Sequence, residues 1–347
     1  MKKHMPEIVG NERLRRRLCE DIREGTLSHA YILEGPNGSG KHLIARQLAA
    51  ALACEKRTDP LSPLPCGQCP ACRKILGGLS PDVITFGRED KATIGVDTVR
   101  ALRENAYSYP NDLDFKLYVI EDAHTLTTQA QNAFLLTLEE PPSFVRFLLL
   151  CENTQSILET IKSRAPILRT EPIPCETMAS HLCRTDPQAL AFRDSAPSQW
   201  QEILLAADGC IGRVKQLLDP KTRKPILARR EDVRQFIHAC IDHRERGTRL
   251  IALGTAQGNK RDDVCAFLLT LETALRDLML LKKEENAPLL FFPDREEAIA
   301  ISDRIGAAML WRLYETCEEA RVAIDIRNAN IRLTYLDFLL KAGLLRT

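Results

Sequence analysis

The stretch GPNGSGKH, Gly35 to His42, combines residue types that can hold phosphate. It fits the pattern G-x-x-x-x-G-K. Gly35, Gly38 and Gly40 let backbone N–H groups close around phosphate oxygens. Lys41 is positioned to reach the β- and γ-phosphates of ATP, and a following helix adds its positive N-terminal end. The next position in such loops carries a Ser or Thr hydroxyl for Mg²⁺. Here it is His42, whose imidazole nitrogen is a poor ligand for a hard, oxygen-seeking cation. The expectation is a loop that can bind nucleotide but is badly equipped for Mg²⁺-dependent hydrolysis.

A second cluster is sulfur. Cys66, Cys69 and Cys72 follow C-x₂-C-x₂-C, with eleven residues between Cys54 and Cys66. Four thiolates so spaced suit a closed tetrahedral Zn²⁺ site, which is structural because no ligand position is left open. A redox pair or four unrelated thiols are the competing readings. The Pro/Gly setting gives the tight turns that let neighbouring sulfurs converge, and the hydrophobic core is expected elsewhere, so that Cys69→Ser should loosen this insertion more than it unfolds the chain. The remaining cysteines stand in apolar contexts and read as small core residues.

Two further groups have weaker signals. KLYVIEDAH presents Glu121 and Asp122 at the end of an apolar run, where nucleotide-hydrolysing folds hold a metal-binding acid and a water-activating acid. An active pair runs Asp then Glu, and the exchange moves each carboxylate by about one methylene, enough to cost orders of magnitude in rate. Alternatively these are two acids at a strand end. TIKSRAPILR puts Arg164 at a helix end, where a guanidinium can reach a neighbour's phosphate. Taken alone, such an Arg is a solvated surface residue.

The elements around these residues read as alternating strands and helices. YILE (31–34), DVITF (82–86), KLYVIE (116–121), FLLLC (147–151) and 166–169 are strand-like. LIARQLAAALAC (43–54), VDTVRALRENA (96–106) and TQAQNAFLLTLEE (128–140) have helical period, the last stopped by Pro141-Pro142. Alternation of this kind predicts an α/β fold with a parallel sheet covered on both faces. TEPIP (170–174) reads as a linker and 175–218 as a small helical unit. LLDPKTRKP (217–225) reads as a second break, followed by a helical bundle.

The whole chain has 347 residues, 48 Lys and Arg against 47 Asp and Glu, and 44% hydrophobic residues. Such a length suits two or three domains and the composition excludes disorder. A net charge of +1 excludes a chain that is basic throughout. RLRRRL (13–18) is a local candidate for nucleic-acid contact, with a solvated helix face as the plainer reading. The N-terminus lacks a signal peptide's apolar stretch. No run reaches the roughly 18 apolar residues of a membrane helix, and Glu272, Arg276 and Asp277 break the most apolar late segment. A cytoplasmic protein without disulfides and without membrane contact is expected.

In order, the phosphate loop, the four-cysteine insertion, VIEDAH, LEEPP (138–142) and SRA (163–165) resemble the AAA+ clamp-loader ATPases of bacterial DNA polymerase III. LSHAYILEGP (27–36), TIGVDTVRALRENA (93–106) and RNANIRL (327–333) fit as well, so the resemblance covers essentially the whole chain. It implies an AAA+ module over 1–170 with the zinc insertion at 54–72, a helical lid over 171–220, and an oligomerising helical collar over 221–347. It implies as partners gamma/tau and delta subunits, the sliding clamp, and primer-template DNA met through the assembled complex. The family's Ser-Arg-Cys motif falls on Ser163-Arg164-Ala165, with Ala in place of Cys, which gives Arg164 the role of a trans arginine finger. The lid arginine of the family's motor falls on Gly212, with Arg213 displaced by one. Together with His42, the exchanged acids and the absence of tau's long extension, this points to a ring subunit with weak or absent ATPase activity and no polymerase site. The alternative is an active gamma/tau-like ATPase. A standalone zinc-dependent nucleic-acid binder is disfavoured by the near-neutral charge and the lack of aromatic–basic interleaving.

Overall fold

The computed structural model describes residues 4–87, 93–241, 260–325, 327 and 329–344. Asn328, within the RNANIRL stretch, lies outside them. The chain divides into two compact units. One comprises the chain up to Leu182 together with Gly209–Arg213; the other comprises Cys183–Asp208 and the chain from Val214 onward.

In the first unit the five apolar runs form one sheet: β1 (Ala30–Glu34), β2 (Val83–Phe86), β3 (Lys116–Ile120), β4 (Val145–Cys151) and β5 (Ile167–Arg169). The order is β2-β3-β4-β1-β5, and every pair is parallel. Both faces are covered, which is why these strands read as continuous apolar runs rather than alternating ones. Tyr31, Leu33, Leu117, Val119, Leu148 and Leu150 face a core shared with α1 (Glu12–Glu24), α2 (Lys41–Leu52) and α3 (Pro70–Leu76). Ala30, Ile32, Tyr118, Ile120, Phe147 and Leu149 face the opposite core, with α4 (Val96–Ala106), α5 (Thr128–Glu139) and α6 (Glu159–Lys162). The sheet is thus the expected α/β, AAA+-like core. The phosphate loop follows β1 and the Glu121-Asp122 pair follows β3, both at the carboxyl edge where open parallel sheets bind ligands.

The cysteine insertion departs from expectation. It is not a loose appendage beside the core. Cys54, Cys69 and Cys72 are buried among Leu48, Ala49, Leu64 and Ile75 in the same cluster as the sheet residues. The apolar side chains that achieve this are few and separated by Pro and Gly, so no periodicity announces them. RLRRRL is mixed: Arg13, Arg16 and Arg17 are exposed as a solvated face requires, but Arg15 is buried. Its Nη1 donates to the carbonyls of His4 and Ile8 at 3.2 and 3.1 Å, tying the N-terminal segment to α1.

The second unit is helical: α8 (Pro187–Ser195), α9 (Pro197–Ala206), α11 (Pro220–Ile241), α12 (Arg261–Leu281), α13 (Arg295–Arg304), α14 (Ala307–Asp325) and α15 (Ile331–Leu344). Helices α7 (Cys175–Thr185) and α10 (Ile211–Leu218) span the division between units. The break expected over 217–225 is narrower than its composition suggests. Pro220 opens α11 at the position where a missing N–H costs nothing, and the helix continues through Pro225. Phe236, Phe267, Tyr335 and Phe338 form the aromatic centre of its core. Asp277, fully buried, accepts hydrogen bonds from the amides of Leu290, Phe291 and Phe292 at 2.8, 2.7 and 3.4 Å. Buried Arg230 donates to the Leu290 and Phe291 carbonyls and stacks on the Phe291 ring at 4.5 Å. Burial pushes the Asp277 carboxyl up, against the downward pull of its three amide donors.

None of the twelve cysteines forms a disulfide. Cys19, Cys151, Cys210, Cys240 and Cys317 are buried, as small core residues should be, while Cys175, Cys183 and Cys265 are half-buried. Among the described residues no helix is long and apolar enough to cross a membrane.

Candidate functional site

The phosphate loop joins β1 to α2 through backbone conformations only glycine adopts easily. Gly38 and Gly40 have φ of 82° and 91°, and a Cβ on Gly35 would overlap the Thr170 hydroxyl. Lys41 opens α2 and is buried. Its Nζ donates to the Gly35 and Pro36 carbonyls at 2.6 and 3.0 Å. Burial pulls its pKa down, with the nearby Glu152 carboxylate opposing. The hydroxyls of Ser39, in the loop, and Thr170, beside it, are buried without a hydrogen-bond partner. Two unsatisfied donors next to a glycine loop and an ammonium suit an oxyanion ligand such as phosphate.

His42 and Glu121 come together: imidazole Nδ1 lies 3.0 Å from the carboxylate Oε1. The residue at the hydroxyl position is therefore engaged with the first of the two acids. Asp122 follows in a left-handed conformation, φ 48° and ψ 41°, at the entry to a single 3₁₀ turn, Ala123–Thr125. His42 thus places an imidazole nitrogen, paired with a carboxylate, where a hard cation such as Mg²⁺ takes an oxygen ligand.

The loop also meets a segment that sequence reasoning had singled out only for a missing arginine. The Gly212 amide donates to the Gly38 carbonyl at 3.0 Å. A Cβ at Gly212 would stand 2.9 Å from both the Gly38 Cα and its carbonyl oxygen. One at Gly38 would stand 2.8 Å from the Arg213 nitrogen. The same segment is held by Gly209, whose carbonyl accepts from the Ile173 amide at 3.0 Å. An arginine at 212 is incompatible with this approach. Sequence reasoning also missed Glu34 at the end of β1. It accepts from Arg169 Nε at 2.8 Å and from the Thr154 amide and hydroxyl at 3.2 and 3.3 Å, joining the ends of β1, β4 and β5.

Arg164 lies just beyond α6. Its Nη2 pairs with Glu139 at 3.0 Å, and its Nη1 donates to the Thr160 carbonyl and Ser163 hydroxyl at 3.0 and 3.3 Å. Its side chain is 37% exposed. Ala165, where the family has Cys, is fully buried and packs in the core beneath.

The four cysteines converge as their spacing predicts. Their sulfurs all lie within 4.8 Å of one another, and Cys66 and Cys72 are 4.0 Å apart. Zn–S bonds of about 2.3 Å in a tetrahedron place sulfurs about 3.8 Å apart, so the cluster can coordinate a metal ion of that kind. Gly67, at φ 70°, makes the turn between Cys66 and Cys69. Cys69 caps α3 by accepting from the Cys72 amide at 3.5 Å, and Pro70 occupies the first helical position. The Cys54 and Cys66 sulfurs accept backbone amides too. Burial pushes Cys54 and Cys72 up. For Cys66, burial is outweighed by amide donors and neighbouring thiols, which bring it down to about 7. The amides are oriented for thiolates, the form a metal binds.

Comparison with known proteins agrees with this architecture. The family described as "DNA polymerase III, delta subunit" matches residues 10–174. The tau subunit of DNA polymerase III from Bacillus subtilis is 32% identical over 214 residues, 61% of this chain and 37% of that one. The gamma subunit from Buchnera aphidicola is 34% identical over 158 residues, 46% of this chain and 42% of that one. The tau subunit from Escherichia coli is 37% identical over 158 residues, 46% of this chain and 24% of that one. This chain thus spans less than half the length of these relatives. The parallel sheet and the phosphate loop give the first unit an AAA+-like core, and over as many as 214 residues the chain is similar to gamma and tau subunits of bacterial DNA polymerase III.

Proposed function

We propose that this chain is a delta-prime-type ring subunit of the DNA polymerase III clamp loader. In this reading it has little or no ATPase activity of its own, contains no polymerase site, and works in the cytoplasm. It completes the ATP site of a neighbouring gamma/tau subunit by supplying Arg164 as a trans finger, and so helps load the sliding clamp onto primed DNA. The proposed organisation is an AAA+ module over 1–170, a lid over 171–220 and a collar over 221–347 that joins gamma/tau and delta subunits. A structural Zn²⁺ is held by Cys54, Cys66, Cys69 and Cys72.

The observation that carries the reading is the contrast between the two chemical ends of the module. At the phosphate loop, Lys41 is turned onto loop carbonyls, His42 is paired with Glu121, and Gly212 packs on Gly38. Gly35, Gly38, Gly40 and Lys41 can hold a nucleotide's phosphates, but the degenerate Glu121-Asp122 pair and His42 supply no proper Mg²⁺ seat. Arg164, in contrast, sits partly exposed on a well-braced helix end. A guanidinium facing a γ-phosphate stabilises charge on the transferring group, and fingers that act directly are worth roughly 10³–10⁵ in rate. Lys could not replace its planar fork.

The test is Arg164→Ala in a loader assembled from this chain with gamma/tau and delta subunits. Folding and assembly should persist, since an exposed Arg contributes little to stability. Clamp- and DNA-stimulated ATP hydrolysis should fall at the one site this chain completes. Unchanged turnover in a correctly assembled complex refutes the finger role. The names of the matching relatives, gamma and tau, favour a second reading: an active gamma/tau-like ATPase. Steady Mg²⁺-dependent ATP hydrolysis by the isolated chain would favour that reading over the first.

A further inference from the structure

We infer that Glu139 is a positioning residue for the Arg164 finger, fixing the guanidinium in the orientation it presents to a neighbour's phosphate. This deepens the finger reading proposed above and rests on it. The observation is the 3.0 Å pair between Arg164 Nη2 and Glu139 Oε1. A long side chain on a partly exposed helix end loses much rotamer freedom when it is held in one place. The Thr160 carbonyl and the Ser163 hydroxyl accept from Nη1, and the Glu139 carboxylate pairs with Nη2.

The chain gives Glu139 a fixed place from which to do this. The residue before a proline is pushed out of helical geometry. Glu140 precedes Pro141 and has left the helix, at φ −131° and ψ 67°, which makes Glu139 the last residue of α5. A carboxylate there opposes the negative end of the helix dipole, so its presence is not explained by helix stability. Eight residues earlier on the same helix, buried Gln131 grips the other end of the finger segment. Its Oε1 accepts from the Leu158 amide at 2.8 Å, and its Nε2 donates to the Ser156 carbonyl at 2.8 Å. Ile161 and Ala165 pack beneath in the same core as Phe134 and Leu138. The segment from 156 to 164 is thus mounted on α5 at both ends, and the only part of the mount that touches the guanidinium from α5 is Glu139.

The experiment compares Arg164→Ala, Glu139→Gln, Glu139→Asp and the double variant Glu139→Gln/Arg164→Ala in the loader assembled with gamma/tau and delta subunits. The readouts are kcat and KM for ATP in the presence of clamp and primed DNA, with thermal unfolding of each variant chain as control. Glu139→Gln should lower kcat by about half the logarithmic loss seen for Arg164→Ala, with KM and unfolding temperature little changed. Glu139→Asp should recover most of it. In the Arg164→Ala background Glu139→Gln should have no further effect, because a positioning residue acts only through the group it positions. Three results overturn the inference while leaving the finger intact: wild-type kcat for Glu139→Gln, a raised kcat, which would mean that Glu139 restrains the finger, or additive losses in the double variant. If Arg164→Ala itself leaves turnover unchanged, the finger reading falls and the role of Glu139 falls with it.

Discussion

Stripping metal from the cysteine cluster should destabilise the whole first unit, not the insertion alone. The ligands span Cys54 at the end of α2 and Cys66 to Cys72 around the start of α3. A metal joining them closes a loop much as a cross-link does, and closure of a loop of about 15 residues is worth ~3 kcal/mol in the chain-entropy model. Three of the four ligand residues are buried, and Leu64 and Ile75 pack beside them at 0% and 2% exposure in the core shared with the sheet. If those two side chains come out of the core as the insertion loosens, each adds ~1.5–3 kcal/mol. The expected loss is therefore ~3 kcal/mol at least and ~9 kcal/mol at most. For a unit of this size, ~3 kcal/mol lowers Tm by ~6–12 °C. The assay is metal quantification, then thermal unfolding with and without a zinc chelator under reducing conditions, with hydrogen exchange followed along the chain. Exchange should quicken in α2 and β1 as well as in 54–72, and Cys72→Ser should behave like the chelated protein. A protein shown to have lost its metal, with Tm moved by less than ~2 °C and faster exchange confined to 54–72, would refute the reasoning.

Other outcomes follow from single contacts. His42→Thr removes the pair with Glu121, which is exposed enough to contribute under ~1 kcal/mol to stability, and supplies the missing hydroxyl. Nucleotide affinity measured by titration should become more dependent on Mg²⁺, and an unaltered response to Mg²⁺ would mean that His42 is not what excludes the ion. Asp277→Ala strands the amides of Leu290, Phe291 and Phe292 in the second unit. At ~1–3 kcal/mol for a buried unsatisfied group, urea unfolding should reveal a loss of at least ~3 kcal/mol, and a loss below ~1 kcal/mol would show that the loop finds other partners.

Much of the first unit was legible because its signals are local. Parallel strands buried on both faces leave apolar runs, and YILE, KLYVIE and FLLLC each became a strand within two residues of the expected ends. The phosphate loop and the cysteine spacing name their ligands by type. What escaped reading depends on partners distant in sequence. Arg15 looked like its neighbours in RLRRRL, and only the fold of residues 4–8 over α1 makes it a buried donor. Glu272 and Asp277 served only to break an apolar run. In the fold, Glu272 pairs with Arg321 at 2.7 Å and Asp277 anchors a turn. The bracing of Arg164 joins two charges that are 25 positions apart and carries no periodic signature. Pro225 misled in the other direction, since a proline in the early turns of a long helix was tolerated where composition suggested a break.

The contact between Gly38 and Gly212 is made by the absence of side chains on both partners. Most packing can drift, because a methyl lost on one side is refilled from another. This contact has no such slack. Neither position can be adjusted by degrees, and enlarging one is not relieved by shrinking the other, which is already at its minimum. A side chain at either position would therefore force the phosphate loop and the 209–213 segment apart.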